Sequence, residues 1–256
     1  MHTKFFFTFA VVCLALPQPA QPQTPPAPAK RLLILGDSHL MGDFGEFLHR
    51  RLHESGKYDV LSIAICGAGS YQFAHPFEND ICGYKIRESK AGEVLIKNKV
   101  RVLEISRTKS KGAIGKDYGG STAAVLQKWK PDAVIVSLGA NFINAHQPLV
   151  DILKGYNPAM RFVWVSPFLR ENFAARLQAI KKVIKDNPHG VLVRSDDIMG
   201  SDTLSGPNHF TGSDAKVWAN KIAQRAGTHL DTFFDTTKTA TVTAPPRPPA
   251  IRPPTR

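Results

Sequence analysis

The chain has 256 residues, enough for one sizeable α/β core with extended ends and too few for a string of domains. A hydrophobic fraction of 43% and a charged fraction of 21% exclude a wholly disordered chain. The formal net charge of +12 points to anionic partners such as lipid, cell-wall polymer or nucleic acid.

The first stretch, "MHTKFFFTFAVVCLALPQPAQPQTPPAPAK", sets Lys4 before an apolar run from Phe5 to Leu16. That run has signal-peptide length and is too short to span a bilayer as a helix. Residues 1–20 are therefore expected to be a signal peptide cleaved near Ala20, and residues 21–30 a proline-rich linker. Cys13 raises a lipoprotein reading, but Val12 is a poor residue to precede a lipidated cysteine. No later stretch reaches transmembrane length, so the mature chain is expected to be exported, periplasmic or secreted, with no transmembrane segment.

Five short apolar runs without polar alternation read as strands covered on both faces: Leu32 to Leu35, Val60 to Ile65, Ala133 to Leu138, Arg161 to Val165 and Val191 to Arg194. Helical stripes fall between them. Phe44, Phe47, Leu48 and Leu52 form one after the first strand, and Phe173, Leu177, Ile180 and Ile184 another after the fourth. His49 and His53 lie opposite the first stripe and are expected on a solvated face. Ser121 is placed to cap a short helix ending before Pro131. Thr211 with Asp214 predicts a reciprocal cap for a helix carrying Trp218 and Ile222. Strand and helix alternating in this way imply a three-layer α/β sandwich, a mostly parallel five-stranded sheet between helices, over residues 31–232. Residues 233–256, ending "APPRPPAIRPPTR", are expected to be an extended, disordered tail.

Two features interrupt the regular alternation. Residues 85–116 carry ten Lys/Arg against three Glu, with a possible hairpin around Val100 to Ile105. This basic insertion reads equally as a solvated surface or as a site for an anionic cell-wall polymer. It lacks base-stacking aromatics, so nucleic acid is not an expected partner. Cys66 and Cys82, in "ICGAGS" and "ICGY", are most simply a disulfide in an oxidising compartment, clamping a loop.

In a parallel sheet the active site lies beyond the carboxyl ends of the strands. Four blocks fall there: Gly36-Asp37-Ser38-His39, the "CGAGS" loop, "LGAN", and "GPNHF" before the last helix. Gly, Asp and Ser are good loop formers, so the first block alone does not assign a nucleophile. Taken together, the blocks offer Ser38 as nucleophile and His209 as base, with Gly67, Gly69 and Asn141 as donors to an oxyanion.

In that order and placement the chain resembles the SGNH hydrolases, or GDSL-type esterases. The resemblance spans residues 31 to about 226 and implies an SGNH, flavodoxin-like fold and serine ester hydrolysis. It also implies an oxyanion hole from the Ser38 and Gly67 (less well Gly69) N–H groups and the Asn141 amide. The family has an Asp three residues before its His, where this chain has Gly206; Asp202, or Asp196 or Asp197, could substitute, or the pair could act as a dyad. No metal and no cofactor is expected. The expected activity is hydrolysis of an ester, an O-acetyl group on an envelope or extracellular glycan such as peptidoglycan. The alternatives are a lipid or aryl ester, and a non-catalytic glycan-binding module that keeps the fold.

Overall fold

In the computed structural model, residues 28–78, 82–107, 114–141, 146–168, 174–200 and 210–235 are described. The signal-peptide region, Phe173, Asp202, His209 and residues 236–256 lie outside them. In chain order the elements are β1 (Lys30–Gly36), α1 (Ser38–Met41), α2 (Asp43–Glu54), β2 (Tyr58–Ile65), α3 (Ser70–Phe73), β3 (Tyr84–Ser89) and β4 (Arg101–Ser106). There follow α4 (Thr122–Trp129), β5 (Ala133–Ser137), α5 (Gln147–Tyr156), β6 (Arg161–Val165), α6 (Ala174–Lys185), β7 (Gly190–Val193), α7 (Ser195–Met199) and α8 (Gly212–Phe234).

All five expected strands form and pair in parallel, in the order β2-β1-β5-β6-β7. Alternate residues of β1 explain why its run is apolar throughout. Leu33 and Leu35 enter a core with Val125 and Leu126 of α4, Leu149 and Leu153 of α5 and Ile180 of α6. Leu32 and Ile34 enter a second core with Phe44 and Leu48 of α2 and Trp218 and Ile222 of α8. The sheet is thus covered on both faces, which is the three-layer sandwich expected.

The strand count is corrected from five to seven. Two antiparallel strands, β3 and β4, extend the sheet beyond β2, and both come from the basic insertion. Only the second had left a trace as a possible hairpin, because β3, "YKIRES", mixes charge with apolar side chains. The odd positions of β3 lie on one side. Arg87 and Ser89 pack towards α1 and α2 through hydrogen bonds, while Tyr84 and Ile86 join the core on the other face. Arg87 is wholly buried, so its charge is not part of a solvated surface.

The solvated reading of His49 and His53 is overturned in the same way, because both are buried. β3 and the segment that follows it cover the flank of α2 that the helical stripe alone left open. His49 bridges Ser62 of β2 (Nδ1–Oγ 2.5 Å) and Ser89 of β3 (Nε2–Oγ 2.9 Å). His53 Nε2 meets the Glu93 carbonyl at 2.9 Å.

Capping is only partly as expected. Ser121 Oγ accepts from Ala124 N–H at 3.2 Å. Thr211 occupies the N-cap of α8 but makes no side-chain capping bond; Asp43 of α2 accepts from Gly212 N–H instead, at 2.8 Å. Helix α8 also runs to Phe234, two residues into the expected tail.

Burial and the neighbouring Arg87 hold the His49 imidazole well below its ordinary pKa of 6.5. The unfolded chain therefore takes up a proton on this group as pH falls through 6.5, while the native state resists, and stability present above 6.5 is lost below it. His49→Leu should cost about 2–4 kcal/mol at pH 7.5 by stranding two buried hydroxyls. The deficit should narrow at pH 4.5. Denaturant unfolding of both proteins at the two pH values checks this; an unchanged gap would contradict it.

Candidate active site

Strand order reverses at β1, whose two neighbours are β2 and β5, and the crevice beyond such a reversal is where parallel sheets bind ligands. The Gly36-Asp37-Ser38 turn leaves β1 at that point, and each of its residues has a physical reason to be there. A Cβ at Gly36 would come within 2.7 Å of Leu40 Cβ and 3.0 Å of the Ser137 carbonyl, so α1 can turn this closely only over glycine. Asp37 caps α1, its Oδ1 accepting from His39 N–H at 3.0 Å. Its backbone N–H donates to the Ser137 carbonyl at 3.4 Å and so ties the turn after β1 to the end of β5. Ser38 is the first residue of α1 and is half-buried.

The loop after β2 is fixed from several sides. The Cys66–Cys82 disulfide joins it to the start of β3 (Cα–Cα 5.4 Å), and Cys66 N–H donates to the Gly83 carbonyl at 2.8 Å. Gly67 has φ +74°, a left-handed conformation suited to glycine. The N–H of Gly69 is taken by Gln72 Oε1 at 2.8 Å. Asn141, beyond β5, donates from Nδ2 to the Ala68 carbonyl at 3.3 Å. The structure thus brings Asn141 against the Gly67 loop, and through Asp37 the Ser38 turn joins the same assembly.

A buried pair that sequence reading missed lies beneath this assembly. His146 Nδ1 and Ser70 Oγ are 2.8 Å apart, both side chains buried, joining the N-termini of α3 and α5. The imidazole stands edge-on to Trp164 (ring centroids 4.9 Å), whose Nε1 donates to the Leu138 carbonyl at 2.9 Å. Burial pushes His146 down to about 4, so it is neutral near pH 7. At under a tenth exposure neither side chain faces solvent, and the pair braces the loops. An isolated histidine 76 positions from its serine carries no spacing signal.

His209 and Asp202 lie outside the described residues. Phe210, next to His209, packs on Phe168 (5.5 Å) and Trp218 (5.7 Å), and Trp218 contacts the His39 ring at 5.5 Å. Asp196 and Asp197, the other acids considered, both pair with Arg194 at the start of α7. Asp37, His39, Ser137, Leu138, Pro167 and Trp218 line a small recess beside Ser38. Two wider grooves, about 530 and 640 Å³, run along α8; neither includes Ser38, Gly67 or Asn141, though Asp197 lines the first, and their linings include long surface side chains such as Arg51, Lys57, Lys221 and Arg225. Among the described residues there is no cluster of three or more His, Cys, Asp or Glu placed to hold a metal.

Arg87 supports the Ser38 turn from below. Its Nη1 donates to the Leu40 carbonyl at 2.9 Å, and its Nη2 to Met41 (2.9 Å) and Gly42 (3.3 Å). Its Nε pairs with Glu46 Oε2 at 3.0 Å. The guanidinium thus supplies donors to the Leu40 and Met41 carbonyls that end the four-residue α1, while the Gly42 carbonyl also accepts from Glu46 N–H at 3.2 Å in the first turn of α2. Helix α2 closes on the same spot, where a Cβ at Gly45 would stand 1.7 Å from the Leu40 carbonyl oxygen.

No protein-family model matches the chain, and no curated protein matches it in sequence. Solved structures do match it in fold. A mutant acetyl esterase with acetate ion aligns with a TM-score of 0.50 at 12% identity, covering 79% of this chain and 99% of that one. A carbohydrate esterase family 3 protein from Talaromyces cellulolyticus aligns over the same shares at 0.49 and 12% identity. An acetyl xylan esterase from the rumen bacterium Butyrivibrio proteoclasticus aligns at 0.43 and 12% identity, covering 83% of this chain and 67% of that one. At such identity the likeness concerns the fold, and that fold is the α/β sandwich the SGNH resemblance implied.

Desolvation raises the buried Asp37 carboxyl from 3.8 to about 7, its backbone donors opposing only part of the shift. A folded pKa above the unfolded one means stability that is fully present below 3.8 and lost as pH rises through about 7. Relative to Asp37→Asn, the parent should therefore lose thermal stability between pH 5 and pH 8. Melting temperatures of the two across that range test the shift; a constant difference would contradict it.

Proposed function

We propose that the protein is an exported serine esterase that removes an O-acetyl group from an envelope or extracellular glycan such as peptidoglycan. The observation that carries the reading is the meeting of the Ser38 turn, the Gly67 loop and Asn141 beyond β1, β2 and β5, cross-linked by the Asp37–Ser137 and Asn141–Ala68 bonds. The acetyl group is taken from the acetyl esterase whose fold the chain shares. Export rests on the N-terminal apolar run and agrees with the disulfide.

In this reading Ser38 Oγ attacks the ester carbonyl while His209 takes its proton, and His209 then gives that proton to the leaving sugar hydroxyl. Water, deprotonated by His209, cleaves the acyl-serine and releases acetate, with Ser38 recovering the proton. The oxyanion is met by the Ser38 and Gly67 N–H groups and by the second N–H of the Asn141 amide, whose first is used on Ala68. Gly69 is the weaker candidate because Gln72 occupies its N–H. Asp202 orients His209 in place of the acid that Gly206 lacks. The contacts of Phe210 with Trp218, and of Trp218 with His39 beside Ser38, support delivery of His209 to this end of the sheet.

Mature protein should turn over p-nitrophenyl acetate and release acetate from acetylated peptidoglycan, and Ser38→Ala should abolish both. Asn141→Ala should lower kcat by about 10²–10³, the usual loss for one oxyanion donor. Glycan binding by the parent with turnover no greater than that of Ser38→Ala would establish the non-catalytic alternative.

A further inference from the structure

The β3–β4 connection presents apolar side chains to solvent on a fixed platform. Val94 is 87% exposed and Ile96 82%, more than the other large apolar side chains among the described residues. Leu95 between them is half-buried, and exposed Lys90, Lys97 and Lys99 surround the three. Glu93 is the one acidic residue from 90 to 99, and its carboxylate accepts from Lys90 N–H at 3.0 Å.

This segment is tied to the body at both ends. Asp59 of β2 accepts from Ala91 N–H at 2.8 Å, and Glu46 of α2 from Val100 N–H at 3.1 Å. His53 Nε2 meets the Glu93 carbonyl at 2.9 Å, and Arg50 donates to the Asn98 carbonyl at 3.2 Å. Lys97 (φ 51°) and Asn98 (φ 55°) are both left-handed, which is unfavourable for non-glycine residues and is held by these contacts. Apolar side chains exposed together and rimmed by charged ones, as here, are the kind of surface that marks a protein or membrane contact.

We propose that the segment from Lys90 to Lys99 docks the protein on an anionic lipid surface, with Val94 and Ile96 entering the acyl boundary and Lys90, Lys97 and Lys99 meeting lipid phosphates. Charge complementarity selects this occupant. A soluble polyanion would satisfy the lysines and leave Val94 and Ile96 in water, whereas a bilayer interface takes both kinds of group. A second copy of the chain would bring the same three lysines face to face, in a molecule of net charge +12. The inference stands apart from the esterase reading, since none of these residues belongs to the candidate site.

Co-sedimentation of the full mature chain with vesicles of equal parts phosphatidylglycerol and phosphatidylcholine, against pure phosphatidylcholine, tests it. The parent should sediment with the anionic vesicles only. Val94→Ser with Ile96→Ser should weaken binding at least about tenfold, through loss of apolar burial. Lys97→Gln with Lys99→Gln should weaken it about fivefold per lysine at low salt, and much less at high salt. The altered side chains are all exposed, and unchanged melting temperatures would show that the fold is kept. Ile96→Trp should shift its emission to the blue on the anionic vesicles, which adsorption without insertion does not produce.

Polyphosphate separates the rival anionic ligand. If parent and Val94→Ser/Ile96→Ser bind it equally and neither binds vesicles, the surface serves a polymer and the proposal fails. It fails equally if the parent forms a dimer that the apolar substitutions abolish, with no vesicle binding.

Discussion

A guanidinium fully withdrawn from water, that of Arg87, stands under the turn that carries Ser38. Burying a charge of this size costs several kcal/mol unless its donors are satisfied. Here Glu46 takes one side, and the carbonyls of Leu40, Met41 and Gly42 take the other. Burial lowers the Arg87 pKa from its ordinary value, and Glu46 opposes the change. The arrangement joins three parts of the chain distant in sequence. β3 supplies the cation, α2 the anion, and the end of α1 with Gly42 the carbonyls. With α1 held in this way, the direction in which the chain leaves β1 is set by the fold as a whole. The antiparallel hairpin is therefore structural support for the proposed site as well as an edge of the sheet.

The loops beyond the sheet show the same economy. Asp37 N–H connects the turn after β1 to the end of β5, and Asn141 connects the loop after β5 to the loop after β2. Ser70 and His146 repeat the link one layer deeper, and the disulfide carries it on to β3. Each hydrogen bond alone is worth about a kcal/mol, but together with the disulfide they leave little freedom to the groups that would face an ester. Donors held still before the reaction do not have to be reorganised during it, which is the source of their value to a developing oxyanion.

The parallel sheet was legible because strands covered on both faces must be apolar at every position, as Leu32 to Leu35 are. The Gly-Asp-Ser block, Gly67 and Asn141 were legible because parallel strands direct their following loops to one end. The pairing of Cys66 with Cys82 followed from their moderate spacing together with the expected export, which removes Cys13 and supplies an oxidising compartment. β3 escaped because the positions it turns towards α1 and α2 are charged or hydroxylic, with Tyr84 and Ile86 inward on the other face. Arg87 and Ser89 look like surface residues until α2 is known to carry Glu46 and His49 against them. For the same reason a single-helix stripe assigned His49 and His53 to water: periodicity describes one buried face, and α2 has a second one against β3 and the β3–β4 connection. The Ser70–His146 pair has neither period nor motif and depends wholly on tertiary packing.

The central claim, that Ser38 is an activated nucleophile, is tested most directly by labelling mature protein with a fluorophosphonate and mapping the adduct by peptide mass spectrometry. The account predicts a single adduct on the peptide containing Ser38, absent in Ser38→Ala and strongly reduced in His209→Ala. No labelling of the parent, under conditions that label a known serine esterase, would contradict it.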